Sequence, residues 1–92
     1  MTYDKPLFVP LRREWFEAFQ RREKFEEWRR YGKQWNERVC WIGRPVQLSL
    51  GYRSVRLLGT VVSFRTAPAR RPGAGDLYGE GTICAVFGVK ID

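Results

Sequence analysis

Leu11-Arg12-Arg13-Glu14-Trp15-Phe16-Glu17-Ala18-Phe19-Gln20-Arg21-Arg22-Glu23-Lys24-Phe25-Glu26-Glu27-Trp28-Arg29-Arg30 is the stretch on which the fold turns. At about 100° per residue, Leu11, Trp15, Ala18 and Phe19 fall within one stripe, with Phe16 on its margin. The first half therefore reads as an amphipathic helix. Carrying the same wheel forward puts Phe25 and Trp28 progressively off that stripe. The helix is expected to stop near Arg21 or Arg22, with Glu23 to Arg30 extended; the alternative is one helix running through Arg30. Just past the stop come a lysine, a carboxylate and a guanidinium: Lys24, Glu27 and Arg29. Groups placed this closely neutralise one another, or they grip the edge of a polar planar ligand such as a nucleobase.

Upstream, Pro6-Leu7-Phe8-Val9-Pro10 reads as a short strand bounded by prolines, hence near a sheet edge or start. Downstream, residues 31–44 interleave aromatics with positive charge and follow neither a helical nor a strand period. They read as a structured loop with one helical turn near Trp35 to Arg38. Pro45 to Leu50 alternates as a half-buried strand, and Gly51 to Ser54 makes a turn. Val55 to Arg65 is a longer strand, in which Gly59 suggests a bulge or a barrel corner. Thr66 to Gly81 holds four Gly and two Pro and reads as a flexible surface loop. Thr82 to Ile91 closes the chain as a strand with Ile83, Ala85, Phe87, Val89 and Ile91 on one face. No repeat, heptad or Walker-type loop is visible. The fold class is α+β and mainly β: a small barrel of about five strands with one N-terminal amphipathic helix packed on it.

Ninety-two residues make a single domain, 1–92, with one core. Hydrophobic residues at 43%, with four Trp, six Phe and four Tyr, argue against disorder and supply buried area. Trp15, Trp41 and the phenylalanines are the core candidates. The longest apolar run is a few residues, and Met1-Thr2-Tyr3-Asp4-Lys5 lacks a signal-peptide stretch, so a cytoplasmic protein with no membrane partner is expected. Cys40 and Cys84 read as buried thiols. With no histidine, Ser-His-Asp and Cys-His mechanisms are excluded, and the chain cannot assemble a zinc site alone. No metal or cofactor is expected. The net charge is +7, and 13 of the 17 basic residues are Arg, which forks onto phosphate and stacks on bases. That balance implies an anionic partner. The plain alternative is an Arg-rich coding bias.

Arg22-x-Lys24-x-x-Glu27-x-Arg29, placed directly after an amphipathic helix and before barrel-like strands, resembles the Gly-x-Lys-x-x-Glu/Thr-x-Arg signature of the ASCH family within the PUA-like superfamily. The helix Leu11 to Phe19 and the strands Val46–Leu50, Leu57–Phe64 and Ile83–Ile91 follow the order of that family, so the likeness covers most of the chain except 66–81. Arg22 stands where the family has glycine, so the helix-to-strand turn is expected to be made differently. The resemblance implies a small stand-alone bacterial or bacteriophage domain with a nucleic-acid link. PUA-like domains typically bind RNA or modified bases in a cleft beside the barrel. Some small ASCH proteins are described as nucleases or as amidohydrolases that deacylate cytidine. The amidohydrolase branch carries a threonine nucleophile where this chain has Glu27.

With this resemblance, Lys24, Glu27 and Arg29 are the expected ligand-binding residues, with Trp28 and Tyr31 as neighbouring rings. In a strand Glu27 and Arg29 share a face, while Lys24 has the opposite parity and needs a bend at the helix–strand junction. The structural alternative is a surface ion-pair cluster. Arg30, Lys33, Arg38, Arg44, Arg53, Arg70 and Arg71 are the expected nucleic-acid contacts, set among Trp28, Tyr31, Trp35, Trp41 and Tyr52, whose rings are candidates for base stacking. Arg70 and Arg71 open the Gly/Pro loop, which no helix N-terminus follows, so it reads as a surface loop rather than a phosphate cradle. The leading expectation is a non-catalytic module that binds nucleic acid, RNA before DNA. The alternatives are a small hydrolase with Lys24 as base and Glu27 or Glu80 as acid, and a phage-type inhibitor that meets a host nucleoprotein complex through the basic face.

Overall fold

The computed structural model describes residues 5–69 and 82–92. Its elements are β1 (Leu7–Leu11), α1 (Arg13–Gln20), β2 (Glu26–Arg30), β3 (Pro45–Leu50), β4 (Arg56–Pro68) and β5 (Ile83–Ile91). The strands form one sheet in the order β1-β3-β4-β5-β2. β1 runs parallel to β3, and the other neighbours are antiparallel. The sheet curls into a half-barrel whose two edges are β1 and β2. The proline-bounded first strand thus lies on an edge, where the missing N–H of Pro10 breaks no ladder between central strands.

The change from helix to strand falls where the apolar wheel runs out. After Gln20 the chain turns with Arg22 at φ 61°, in the left-handed region. The Arg22 N–H donates to the Phe19 carbonyl at 3.0 Å and the Glu23 N–H to the Ala18 carbonyl at 2.8 Å, which is a Schellman closure. Glycine is usual at this point because a Cβ costs about 1–2 kcal/mol there. The turn is therefore the one glycine would make, with Arg22 accepting the strain, and not a different turn as the sequence suggested.

The inner face of the sheet and the helix enclose one core. Leu7, Val9, Leu11, Phe16, Phe19, Val46, Leu48, Val61, Phe87 and Val89 are buried there. Phe16 sits inside this core rather than on its margin. Leu11 belongs to β1, so the short helix is centred on Phe16 and Phe19, and Trp15 is only partly buried. Asn36 organises the loop before β3: its Oδ1 accepts from the N–H groups of Arg38 and Val39, and the Cys40 N–H donates to its carbonyl at 2.8 Å. This single turn delivers Cys40 to the core. Trp41, expected inside, is 42% exposed; Trp35 takes the interior role, stacked on Phe87 at 5.6 Å and 8°.

Three sequence expectations change in the second half. β5 lies between β4 and β2, and its other face, Cys84 and Val86, is also buried, against Ala69, Ala67 and Trp28. β4 continues through Pro68, so residues 66–68 are strand rather than loop, and most of the Gly/Pro stretch, 70–81, lies outside the described residues. The register shift falls between Val61 and Ser63, not at Gly59. Gly59 serves instead a close approach: a Cβ there would stand 2.5 Å from the Lys90 carbonyl oxygen. Among the described residues, no helix is long and apolar enough to cross a membrane.

Candidate ligand site

β2 pairs Glu27 with Phe87 and Arg29 with Ala85, which sets both side chains on the inner face. Glu27 is buried, at 6% exposure. Arg29 Nε donates to Glu27 Oε2 at 2.7 Å, and its Nη2 donates to the Pro10 carbonyl on β1 at 2.6 Å. The same guanidinium lies over the Trp35 ring, 4.8 Å from its centroid. Arg29 therefore spans the two edges of the half-barrel with one side chain. Lys24 precedes β2, and the bend at Arg22 turns it inward despite its parity. Its Nζ stands 3.6 Å from Glu27 Oε1 and lies over the rings of Trp15 and Phe19 at 5.2 and 5.5 Å. A carboxylate taken out of water is tolerable here because each of its oxygens faces a cation.

Lys24 also opens outward. Between the end of α1 and the β4–β5 ladder lies a groove of about 490 Å³, walled by Lys24, Phe19, Phe25, Val62, Val89 and Ile91. Its lining is mostly apolar; Arg22 and Lys90 also line it, as does Glu26, whose carboxylate is paired with Arg65. Neither Arg22 nor Lys90 enters an ion pair among the described residues. The shift between Val61 and Ser63 brings Val62 to the groove, and Gly88 fits there because a Cβ would collide with Ser63 Oγ, which accepts the Gly88 N–H at 3.1 Å. Glu27 and Arg29 do not line this groove. Sequence reasoning missed Arg22, Phe25, Val62 and Lys90 as site residues. Only Phe25 carried a signal, as a large apolar residue off the helical stripe, and it is 62% exposed.

The other candidates are dispersed. Trp28 faces away from Glu27, packed on the outer cluster of Cys84 and Val86 with Arg65 over its ring at 5.4 Å. Arg65 is fixed in turn by Glu26 at 3.2 Å. Tyr31 is exposed and donates its hydroxyl to Glu37 at 2.6 Å, a bond that raises the tyrosine's pKa and lowers the carboxylate's. Arg44 is turned inward to the Val39 and Lys5 carbonyls at 2.7 and 3.1 Å, so its donors serve the fold. Arg30, Lys33, Arg38 and Arg53 are exposed, whereas Arg70, Arg71 and Glu80 lie outside the described residues. Burial pushes the Cys40 thiol up to about 11 and raises Cys84 as well, so neither is a thiolate near neutral pH. Among the described residues, no three His, Cys, Asp or Glu side chains gather as a metal site.

The sequence matches no protein-family model and no curated relative.

Proposed function

We propose that this chain is an ASCH-type, PUA-like module that binds nucleic acid, RNA before DNA, by taking an unpaired or modified base into the groove below the end of α1. The observation that carries this reading is the groove itself: a mostly apolar lining beside Lys24, with Arg22 and Lys90 at it and the carboxylate that lines it, Glu26, already paired with Arg65. Its volume is within the range of small-ligand sites, roughly 300–1,000 Å³. The flat face of a base suits Phe25 and Val62, and the adjoining phosphates suit Arg22 and Lys90. A net charge of +7 supplies the attraction that does not depend on sequence. Contacts from Lys24 and Arg29 to the two oxygens of Glu27 use that carboxylate as an acceptor, which favours binding over an acid role in hydrolysis.

The test is fluorescence anisotropy with labelled single-stranded RNA and DNA of one sequence at low salt. Wild type is expected to bind, and Lys90→Glu and Phe25→Ala each to weaken the complex about tenfold, the worth of one charge-assisted contact or one stacked base. Absence of binding to every RNA and DNA tried at low salt would remove the reading.

A further inference from the structure

A second surface, built from other residues, lies on the outer face of the β1–β3–β4 part of the sheet. Phe8 on β1 and Leu58 on β4 flank Gln47 of β3 in one row, so both point away from the core. Tyr52, in the turn between β3 and β4, leans back to Phe8 with centroids 5.9 Å apart and planes tilted by 38°. Arg56 lies over the Phe8 ring at 5.2 Å, and its Nη1 is anchored on Ser49 Oγ at 2.8 Å. Ser49 Oγ in turn donates to the Arg53 carbonyl at 3.1 Å, which ties the turn to the strand. Tyr52 is 85% exposed, and Phe8, Val55 and Leu58 are exposed with it. A folded domain seldom leaves such a set of large apolar side chains in water without a partner.

We infer that this patch is a stacking platform for the unpaired bases of single-stranded nucleic acid. The Tyr52 ring has an open face that a base can cover, and base–aromatic stacking is indifferent to sequence because every base has a π-face. Arg53 follows Tyr52 in the turn and Arg56 lies over Phe8, and no acidic residue occurs from Lys5 to Leu11 or from Arg38 to Gly75. Asp92, whose N–H donates to the Leu58 carbonyl at 2.9 Å, is the carboxylate beside the Leu58 end, so the basic side of the patch is the end with Phe8 and Tyr52. There the patch joins aromatic faces to positive charge, the two groups a single strand's bases and phosphates call for. Held to the sheet by Ser49, Arg56 keeps the Phe8 ring in place, so the platform exists before the strand arrives. This inference rests on the nucleic-acid reading above, but uses a surface that shares no residue with the groove.

The experiment compares Tyr52→Ala, Tyr52→Phe and Lys90→Glu on oligouridine of about 12 nucleotides and on an RNA duplex of equal length. Tyr52→Ala is expected to raise the Kd for the single strand about tenfold and to leave the duplex within about twofold, because the phosphate contacts remain. Tyr52→Phe should restore single-strand affinity. A Tyr52→Ala protein that binds oligouridine as wild type does, while Lys90→Glu is weakened, overturns the platform and leaves the groove standing. Equal losses on single strand and duplex overturn it too, since a duplex offers no unstacked base. Wild type that binds neither nucleic acid removes the wider reading together with the platform.

Discussion

Arg29 touches three parts of the chain at once: the Glu27 carboxylate, the Pro10 carbonyl on the opposite sheet edge, and the face of Trp35. Truncating it leaves a buried carboxylate with only Lys24 nearby and a carbonyl without its donor. Arg29→Ala is therefore expected to lower unfolding free energy by about 3 kcal/mol. Arg30, exposed on the other side of β2, should cost under about 0.5 kcal/mol when truncated. Urea unfolding of the two variants makes the comparison; equal and small losses would show that the triad bears no weight in the fold. Arg29→Lys should recover little, because an ammonium lacks the fork that reaches Glu27 and Pro10 together. Arg22 gives the opposite case. Its φ of 61° strains an L side chain, while the residue lines the groove. Arg22→Gly is expected to stabilise the domain by about 0.5–1 kcal/mol, the steric relief less the entropy of a freer unfolded chain, and at the same time to weaken RNA binding. A melt and a titration on one preparation test both signs; a variant that gains stability and binds as before would take Arg22 out of the site.

Helix α1 has eight residues and begins without a side-chain cap: Arg12 occupies the N-cap with extended backbone and no cap hydrogen bond. Arginine there also sets a positive charge against the positive end of the helix. Arg12→Asp should supply both the missing acceptor and the favoured charge, and is expected to raise stability by about 1 kcal/mol in thermal or urea unfolding. No gain would mean that the first turn is held by Phe16 packing alone. The helix stop and all five strands were legible because each rests on local pattern: an apolar wheel that fails at Phe25, proline at an edge, alternation in Val46 to Leu50 and Ile83 to Ile91. What was not legible depends on neighbours distant in sequence. Cys84 was read as a buried thiol from its residue type, but burial of Val86 beside it follows from β5 taking a central place in the sheet, which alternation along β5 does not encode. The shift at Val62 depends on register with β5, and Gly59 is required by a backbone passing from Lys90. Lys24, Glu27 and Arg29 were found as a cluster because their spacing is local, but of the three only Lys24 lines the groove. The groove escaped because Val62 and Lys90 come from two strands whose pairing no single segment announces.

At the scale of the whole molecule, the count of 17 basic residues overstates what faces a partner. Arg29, Arg44 and Arg65 spend their donors on internal carbonyls and carboxylates. Arg22, Arg30, Lys33, Arg38, Arg53 and Lys90 are exposed and enter no ion pair among the described residues. If these six meet phosphates, the affinity for single-stranded RNA should fall with salt along a log–log slope of about −4, since each neutralised phosphate contributes about −0.7. Arg53 and Arg44 then separate surface charge from structural charge. Arg53→Gln removes an exposed phosphate contact, so the slope should become shallower by about 0.7 with little change in stability. Arg44→Gln removes a guanidinium held by Val39 and Lys5, so stability should drop by about 1–3 kcal/mol as two carbonyls lose their donor, while the slope stays as in wild type. Titrations at four salt concentrations, paired with urea unfolding, read both quantities. If Arg44→Gln flattened the slope as Arg53→Gln does, its guanidinium would leave the carbonyls for phosphate on binding, and the loop from Tyr31 to Arg44 would belong to the interface rather than to the core.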